Sequence, residues 1–347
     1  MDEPTYESIL IEIGGIRPPA NPDARAVRWI PEGSPVGVGR RWDGSLEIFL
    51  LGSTLIAQIP AVAQAMSAGE WYREDGTAFE ANRIALPRFA HFDQVAAFIT
   101  TELLRQGGET DPARALATSE PIIALALDPL RQRHQQLMGL AGELMVIRAL
   151  VLSTQAPGAV LEAWAGSGRS ARDIQLGTLG LEVKATEGDI SSHEISGTWQ
   201  TEIGHPVGST PETALWLVSL GLRTGIMGDE TWSIRGLLDE ITDRAMTVGA
   251  PDSAVSGFRD QVGRYGGAQF SDHDLDFRFS LSFARAYDMT DAALQVLRTA
   301  DVRARPNVET DSVRFRVNLP ERVTGDVNPI VGLPRIAKEA CRIGGLA

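Results

Sequence analysis

The residues best suited to chemistry in this 347-residue chain fall in two short runs. In the first, between Arg172 and Lys184, Asp173 is followed by the triplet Glu182-Val183-Lys184. In a strand, Glu182 and Lys184 share one face and Val183 takes the other. If Gly177-Thr178 forms a two-residue hairpin turn, Leu176 pairs with Leu179, and counting outwards sets Asp173 opposite Glu182. Facing residues in such a pair lie about 4.5–5.5 Å apart at Cβ, so the two carboxylates repel unless a cation sits between them. The register therefore predicts an oxygen-ligand site for Mg2+ or Mn2+. The triplet by itself also reads as a solvated strand face with a local ion pair, and an acid-x-Lys match is unremarkable in a chain with 45 acidic residues.

The second run lies upstream, in Gly139-Leu140-Ala141-Gly142-Glu143-Leu144. A glycine inside a helix costs about 1 kcal/mol relative to alanine, so two of them predict close approach of this helix to a sheet. Glu143 would then be held near the buried side; a half-buried glutamate with satisfied hydrogen bonds is the alternative. Downstream come Ser192-His193-Glu194-Ile195-Ser196 and Gln200. The chain has five histidines, none at a convincing ligand spacing with another, so a hydrogen-bonding or phosphate-contacting role suits His193 better than zinc ligation.

The elements that must position these groups follow from periodicity. The first hundred residues are β-rich, with Asp43-Gly44 and Asp75-Gly76 turns beside alternating strands. From Phe92 the spacing becomes helical and stops at Gly107-Gly108; a longer amphipathic helix is expected from about 130 to 152. Strands are expected at 160–164, 173–176, 181–186 and 214–220, helices at 233–247 and 253–263, then a strand at 277–283, a helix around 291–299 and a last strand at 313–317. The length and the change of pattern predict three parts: a β-rich domain over 1–110, an α/β core over 111–265 and an α+β extension over 266–347.

Composition narrows the function. A net charge of −13 argues against a protein that coats nucleic acid with a general positive field. Residues 131–184, however, carry 6 basic and only 4 acidic groups, and Glu143, Asp173 and Glu182 are three of those four. Arginine supplies nearly all the basic charge. The two lysines are Lys184 and Lys338; neither follows a glycine, which excludes an ordinary phosphate-binding G-K-[ST] loop. A single cysteine, Cys341, excludes an internal disulfide and a Cys-rich zinc site. The acidic start Met1-Asp2-Glu3-Pro4 is unlike a secretory signal, and no apolar run approaches the roughly 18 to 20 uncharged residues that span a bilayer, so no membrane association and a cytoplasmic location are expected.

Taken in order, Glu143 in a G-L-x-G-E-L helix, Trp164, Asp173, Glu182-Val183-Lys184, His193-x-Ile195-Ser196 and Gln200 resemble the PD-(D/E)XK nuclease superfamily. They are most similar to the bacterial group described only as putative members, often found in restriction-like phage-defence gene clusters. The motifs span about residues 137 to 201, and Arg172 stands where the superfamily name has proline. The resemblance implies a restriction-endonuclease-like mixed sheet flanked by helices, and a Mg2+-dependent endodeoxyribonuclease in which Mn2+ can substitute. It implies that Asp173, Glu182 and the Val183 backbone carbonyl ligate the metal, with Glu143 as a further ligand directly or through water. Lys184 would orient or deprotonate the attacking water; Gln200 and His193 would support the site, and Arg169 and Arg172 would contact phosphates. The implied partners are DNA and other proteins of a defence cluster, and double-strand cutting with one site per chain implies a homodimer. A non-cleaving DNA-binding or assembly subunit with the same fold is the rival expectation.

Overall fold

The computed structural model describes residues 4–86, 92–166, 172–204, 211–224, 231–267 and 270–346, without the side chains of 129, 130, 273 and 311. The chain divides into two compact units, Met1–Gln135 and Gln136–Ala347.

In the first unit, α1 (Tyr6–Gly14) precedes β1 (Ala24–Trp29), β2 (Val36–Arg41) and β3 (Leu46–Leu51), then α2 (Pro60–Ala65), β4 (Met66–Arg73), β5 (Ala78–Ala85), α3 (Phe92–Arg105) and the start of α4 (Pro112–Ser153). The five strands close a barrel in the order β1-β2-β3-β5-β4, with β1 and β4 parallel at the seam. The expected Asp-Gly turns join β2 to β3 and β4 to β5, with Gly44 and Gly76 at φ +84° and +82°. One strand face carries Val36, Val38, Leu46, Ile48, Leu50 and Ile84 into a core with α1 and α3. The other face brings Trp29, Phe49, Trp71 and Phe79 together from four strands. Trp29 and Phe79 lie on strands that are not neighbours, so this second face is the barrel interior.

The second unit contains the rest of α4, α5 (Pro157–Ala163), β6 (Ile174–Leu176), β7 (Leu179–Thr186), β8 (Ser191–Ile195), β9 (Ala214–Thr224), β10 (Trp232–Ser233), α6 (Ile234–Thr247), α7 (Asp252–Gly263), α8 (Asp272–Leu275), β11 (Arg278–Asp288), α9 (Thr299–Arg303), β12 (Phe315–Leu319), β13 (Ile330–Val331) and α10 (Leu333–Ile343). A mixed sheet runs β10-β11-β9-β7-β6, with β13 paired to β11 and β8 paired to β12 as a separate ribbon. The β7–β9 pair is parallel and the β6–β7 and β9–β11 pairs are antiparallel. Residues 278–288 belong to the central sheet through their pairing with β9. The division near Gln135 falls inside a helix, not at 110.

Two local expectations are overturned. Residues 160–163 form the end of helix α5, opened by Pro157, and Trp164 after it makes a β-bridge to Ile174. Their apolar run is too short for periodicity to separate helix from strand. The helix expected at 291–299 is confined to Thr299–Arg303, beginning where Asp301 and the Arg298 backbone close a cap. Part of α4 is long and apolar enough to cross a membrane by length and composition alone, but 72% of that stretch is buried within the fold.

Candidate active site

Three elements converge on the candidate residues. The β6–β7 hairpin has the register expected from sequence: Leu176 pairs with Leu179, Gln175 with Gly180 and Ile174 with Leu181, and Gly177 occupies the turn at φ +54°. The ladder ends there, one residue short of the Asp173–Glu182 step. Asp173 folds over the end of β6 so that its Oδ2 accepts a hydrogen bond from the Val183 backbone N–H at 2.6 Å. The N–H and C=O of a strand residue point to the same side, so the Val183 carbonyl is directed towards this edge as well.

Helix α4 covers one face of the sheet. A Cβ on Gly142 would meet Ala185 Cβ at 3.2 Å, with Leu220 and Val183 next, so this glycine lets helix and sheet approach as the sequence predicts. Val183 faces α4, and Glu182 and Lys184 therefore face away from it, towards β8 and the short turn Thr198–Thr201. There Glu182 Oε1 accepts from Gln200 Nε2 at 2.7 Å and lies 3.0 Å from Lys184 Nζ. Gln200 is itself fixed, because its Oε1 accepts the Ser196 backbone N–H at 2.9 Å. Ser219, the β9 partner of Lys184, bonds His193 Nε2 at 2.7 Å, which puts the imidazole beside the lysine.

Glu143 lies on α4 and is almost fully buried. Trp164 Nε1 donates to its Oε2 at 2.6 Å, and the Tyr265 hydroxyl donates to its Oε1. Tyr265 was not singled out from sequence: a lone tyrosine after a helix carries no spacing signal. In retrospect Gly139 was the pointer, since a Cβ there would come 3.0 Å from the Tyr265 hydroxyl.

The electrostatics join these groups. Burial pushes the Glu182 carboxyl up to about 7, with the Asp173 charge adding to the shift and Lys184 opposing it. Glu143 is held well above the usual carboxylate range by burial and then by Asp173 and Glu182, against its two hydrogen bonds. Asp173 is raised by burial, against the Val183 N–H and Lys184. His193 is pushed down to about 3, first by burial and then by the Lys184 and Arg316 charges, so it is a neutral hydrogen-bonding group, not a cation.

Arg172 corrects an expectation. Its side chain is fully buried, donates to both carboxylate oxygens of Glu212 at 2.7 and 2.8 Å, and donates to the carbonyls of Trp199 and Glu202. It ties the entry of β6 to the turn that carries Gln200 and does not face a phosphate. Gly180 makes room for this pair, since a Cβ would fall 2.0 Å from Glu212 Oε1. Arg169 lies outside the described residues. The acidic group near 272–276 is engaged locally, with Asp272 and Asp276 paired to Arg235.

As donors for a hard cation, the groups are all oxygen ligands of the right charge. Among the described residues, however, no three acidic, histidine or cysteine side chains already converge closely enough to hold an ion. Asp173 and Glu182 each keep one oxygen without a hydrogen-bond partner among the described residues, whereas both oxygens of Glu143 are engaged. The donor set therefore fits a cation at Asp173 and Glu182, with Glu143 at one remove.

Residues 127–307 match the family described as “Putative PD-(D/E)XK family member” (DUF4420), which covers more than half of the chain and includes Glu143, Asp173, Glu182, Lys184, His193 and Gln200. The chain belongs to that family. No curated protein and no solved structure matches it. The matched range contains Asp173 and the Glu182-Val183-Lys184 strand together with Trp164, Tyr265 and Gln200, whose side chains hold Glu143 and Glu182.

Proposed function

We propose that the protein is a divalent-metal-dependent endodeoxyribonuclease with a restriction-endonuclease-like core, hydrolysing DNA phosphodiesters in the cytoplasm as part of a bacterial phage-defence system. The observation that carries the reading is the hairpin register: it sets two buried, mutually repelling carboxylates at the end of β6, with Lys184 3.0 Å from one of them. Family membership supports the nuclease-like part of this reading.

Asp173, Glu182 and the Val183 carbonyl would hold the cation, Mg2+ or Mn2+, with Glu143 reaching it through water. When bound, the ion would supply Lewis-acid activation at the phosphate and lower the pKa of water. The chain's own residues do the rest. Gln200 keeps Glu182 from turning away from Asp173. Lys184 is a compact ammonium, its side chain 20% exposed, on a flexible stem; it orients the attacking water and offsets charge on the phosphoryl oxygens. Neutral His193 holds Ser219 under the lysine stem and adds no competing positive charge. The N-terminal barrel would serve recognition or assembly, and a homodimer would allow both strands to be cut.

The test is incubation of methylated and unmethylated plasmid with the protein in Mg2+, Mn2+ or EDTA, beside Asp173→Ala and Lys184→Ala. Cleavage that needs the metal and is lost in both variants is expected. Cleavage that persists in both would overturn the assignment, and DNA binding without any cleavage would favour a non-cleaving subunit.

A further inference from the structure

Glu143 is an expensive residue in its place. A carboxylate almost fully buried on a helix that faces a sheet costs stability unless paired, and an apolar residue of similar size would cost less. The chain instead builds a dedicated holder from three separate elements. Trp164, at the bridge after α5, gives its indole N–H to one oxygen; Tyr265, in the turn after α7, gives its hydroxyl to the other. The two rings lie nearly parallel, 11° apart with centroids at 6.3 Å, and Phe258 of α7 packs its edge against Trp164 at 5.1 Å. Gly139, one turn before Glu143 on α4, leaves the space that the Tyr265 hydroxyl occupies. Gly266 follows the tyrosine in the left-handed region at φ +62°, and its carbonyl accepts from Gln136 on α4. Both donors are neutral, so neither pairs with Glu143 as an arginine or lysine would, and the carboxyl is held in position without a fixed countercharge.

We infer that Tyr265 and Trp164 are positioning residues that pre-order Glu143 as the outer partner of a divalent cation held by Asp173 and Glu182. This rests on the metal-site reading of the proposed function. The physical basis is preorganisation: a ligand already held in place loses less freedom on binding, and outer partners of metal ligands are worth about 10- to 100-fold in metal affinity. Neither residue touches the reacting atoms.

The experiment is titration calorimetry of the full chain with Mn2+ alone, on wild type, Tyr265→Phe, Gly139→Ala, Glu143→Gln and the double variant Tyr265→Phe/Glu143→Gln, each with a melting curve. Tyr265→Phe should weaken Mn2+ binding about tenfold. Gly139→Ala should weaken it in the same direction by displacing the hydroxyl, even though alanine improves helix propensity by about 1 kcal/mol. Weaker binding without a lower melting temperature cannot come from a merely structural role. In the Glu143→Gln background, Tyr265→Phe should have no further effect, because its action runs through the carboxylate. Unchanged affinity in both Tyr265→Phe and Gly139→Ala, or a loss that persists in the Glu143→Gln background, would overturn the inference and leave the metal site standing. Wild type that binds no Mn2+ would overturn the metal site itself and the inference with it.

Discussion

Gln200 and Lys184 meet the same atom: both reach Glu182 Oε1, at 2.7 and 3.0 Å. One carboxylate oxygen is thereby held by a neutral donor and a cation, and the other oxygen keeps no hydrogen-bond partner among the described residues. Gln200→Ala removes the neutral donor and frees Glu182 to follow the lysine. DNA cleavage should fall about 10- to 100-fold, in line with other partners of metal ligands, while the melting temperature changes little. Cleavage within about twofold of wild type would show that Gln200 serves only the turn at Ser196.

Arg172 and Glu212 form an ion pair from which solvent is excluded on both sides. Breaking a buried pair by removing one partner leaves an uncompensated charge, so Arg172→Ala should cost about 3–5 kcal/mol in urea unfolding. Replacing both, as Arg172→Met with Glu212→Leu, should restore more than half of the loss, because the desolvation of both charges disappears together. Equal instability in the single and double variants would mean that the bonds to the Trp199 and Glu202 carbonyls, not the ion pair, hold this turn.

These contacts also show where the sequence is informative. The β6–β7 register follows from one rule about two-residue turns, and the alternation of strand faces puts Glu182 and Lys184 on one side of β7. Gly142 was legible for the same reason: only close packing explains a second glycine in that helix. The extent of α4 was not: the amphipathic spacing marks only about 130 to 152, whereas the helix begins at Pro112. Arg172 was misassigned because an arginine beside an acid reads equally well as a phosphate contact or as half of an ion pair, and its partner lies 40 positions away at Glu212. Tyr265 likewise depends on a contact 122 positions apart, which no local pattern encodes.

The pH dependence of metal-free stability follows from the raised carboxyls. Glu182 is raised from 4.5 to about 7, so between those values the folded state binds more protons than the unfolded one, and stability falls as pH rises. The loss from this group is on the order of 3 kcal/mol, and Asp173 and Glu143 add to it with the same sign. His193 acts oppositely: it is lowered to about 3, so its contribution is present above about 6.5 and is lost as pH falls towards 3. Glu182→Gln should therefore gain stability over wild type progressively from pH 4.5 to about 7 and hold a constant advantage above it, measured by denaturant unfolding in EDTA. A difference independent of pH would show that Glu182 titrates normally in the folded chain.

A cation at Asp173 and Glu182 would oppose that loss. Below about pH 7 protons compete for Glu182, so metal binds weakly and adds little stability; above it the Glu182 carboxylate is ionised in its buried place, and the ion offsets that charge. Anything that binds only the folded state stabilises it in proportion to the logarithm of its occupancy ratio. The rise in melting temperature on adding 10 mM Mg2+, an amount on the order of ordinary assay conditions for such ions, should thus grow between pH 6 and pH 8 in wild type. In Asp173→Ala it should vanish at every pH. A rise of equal size at all pH values, or one retained in Asp173→Ala, would place the ion elsewhere in the molecule.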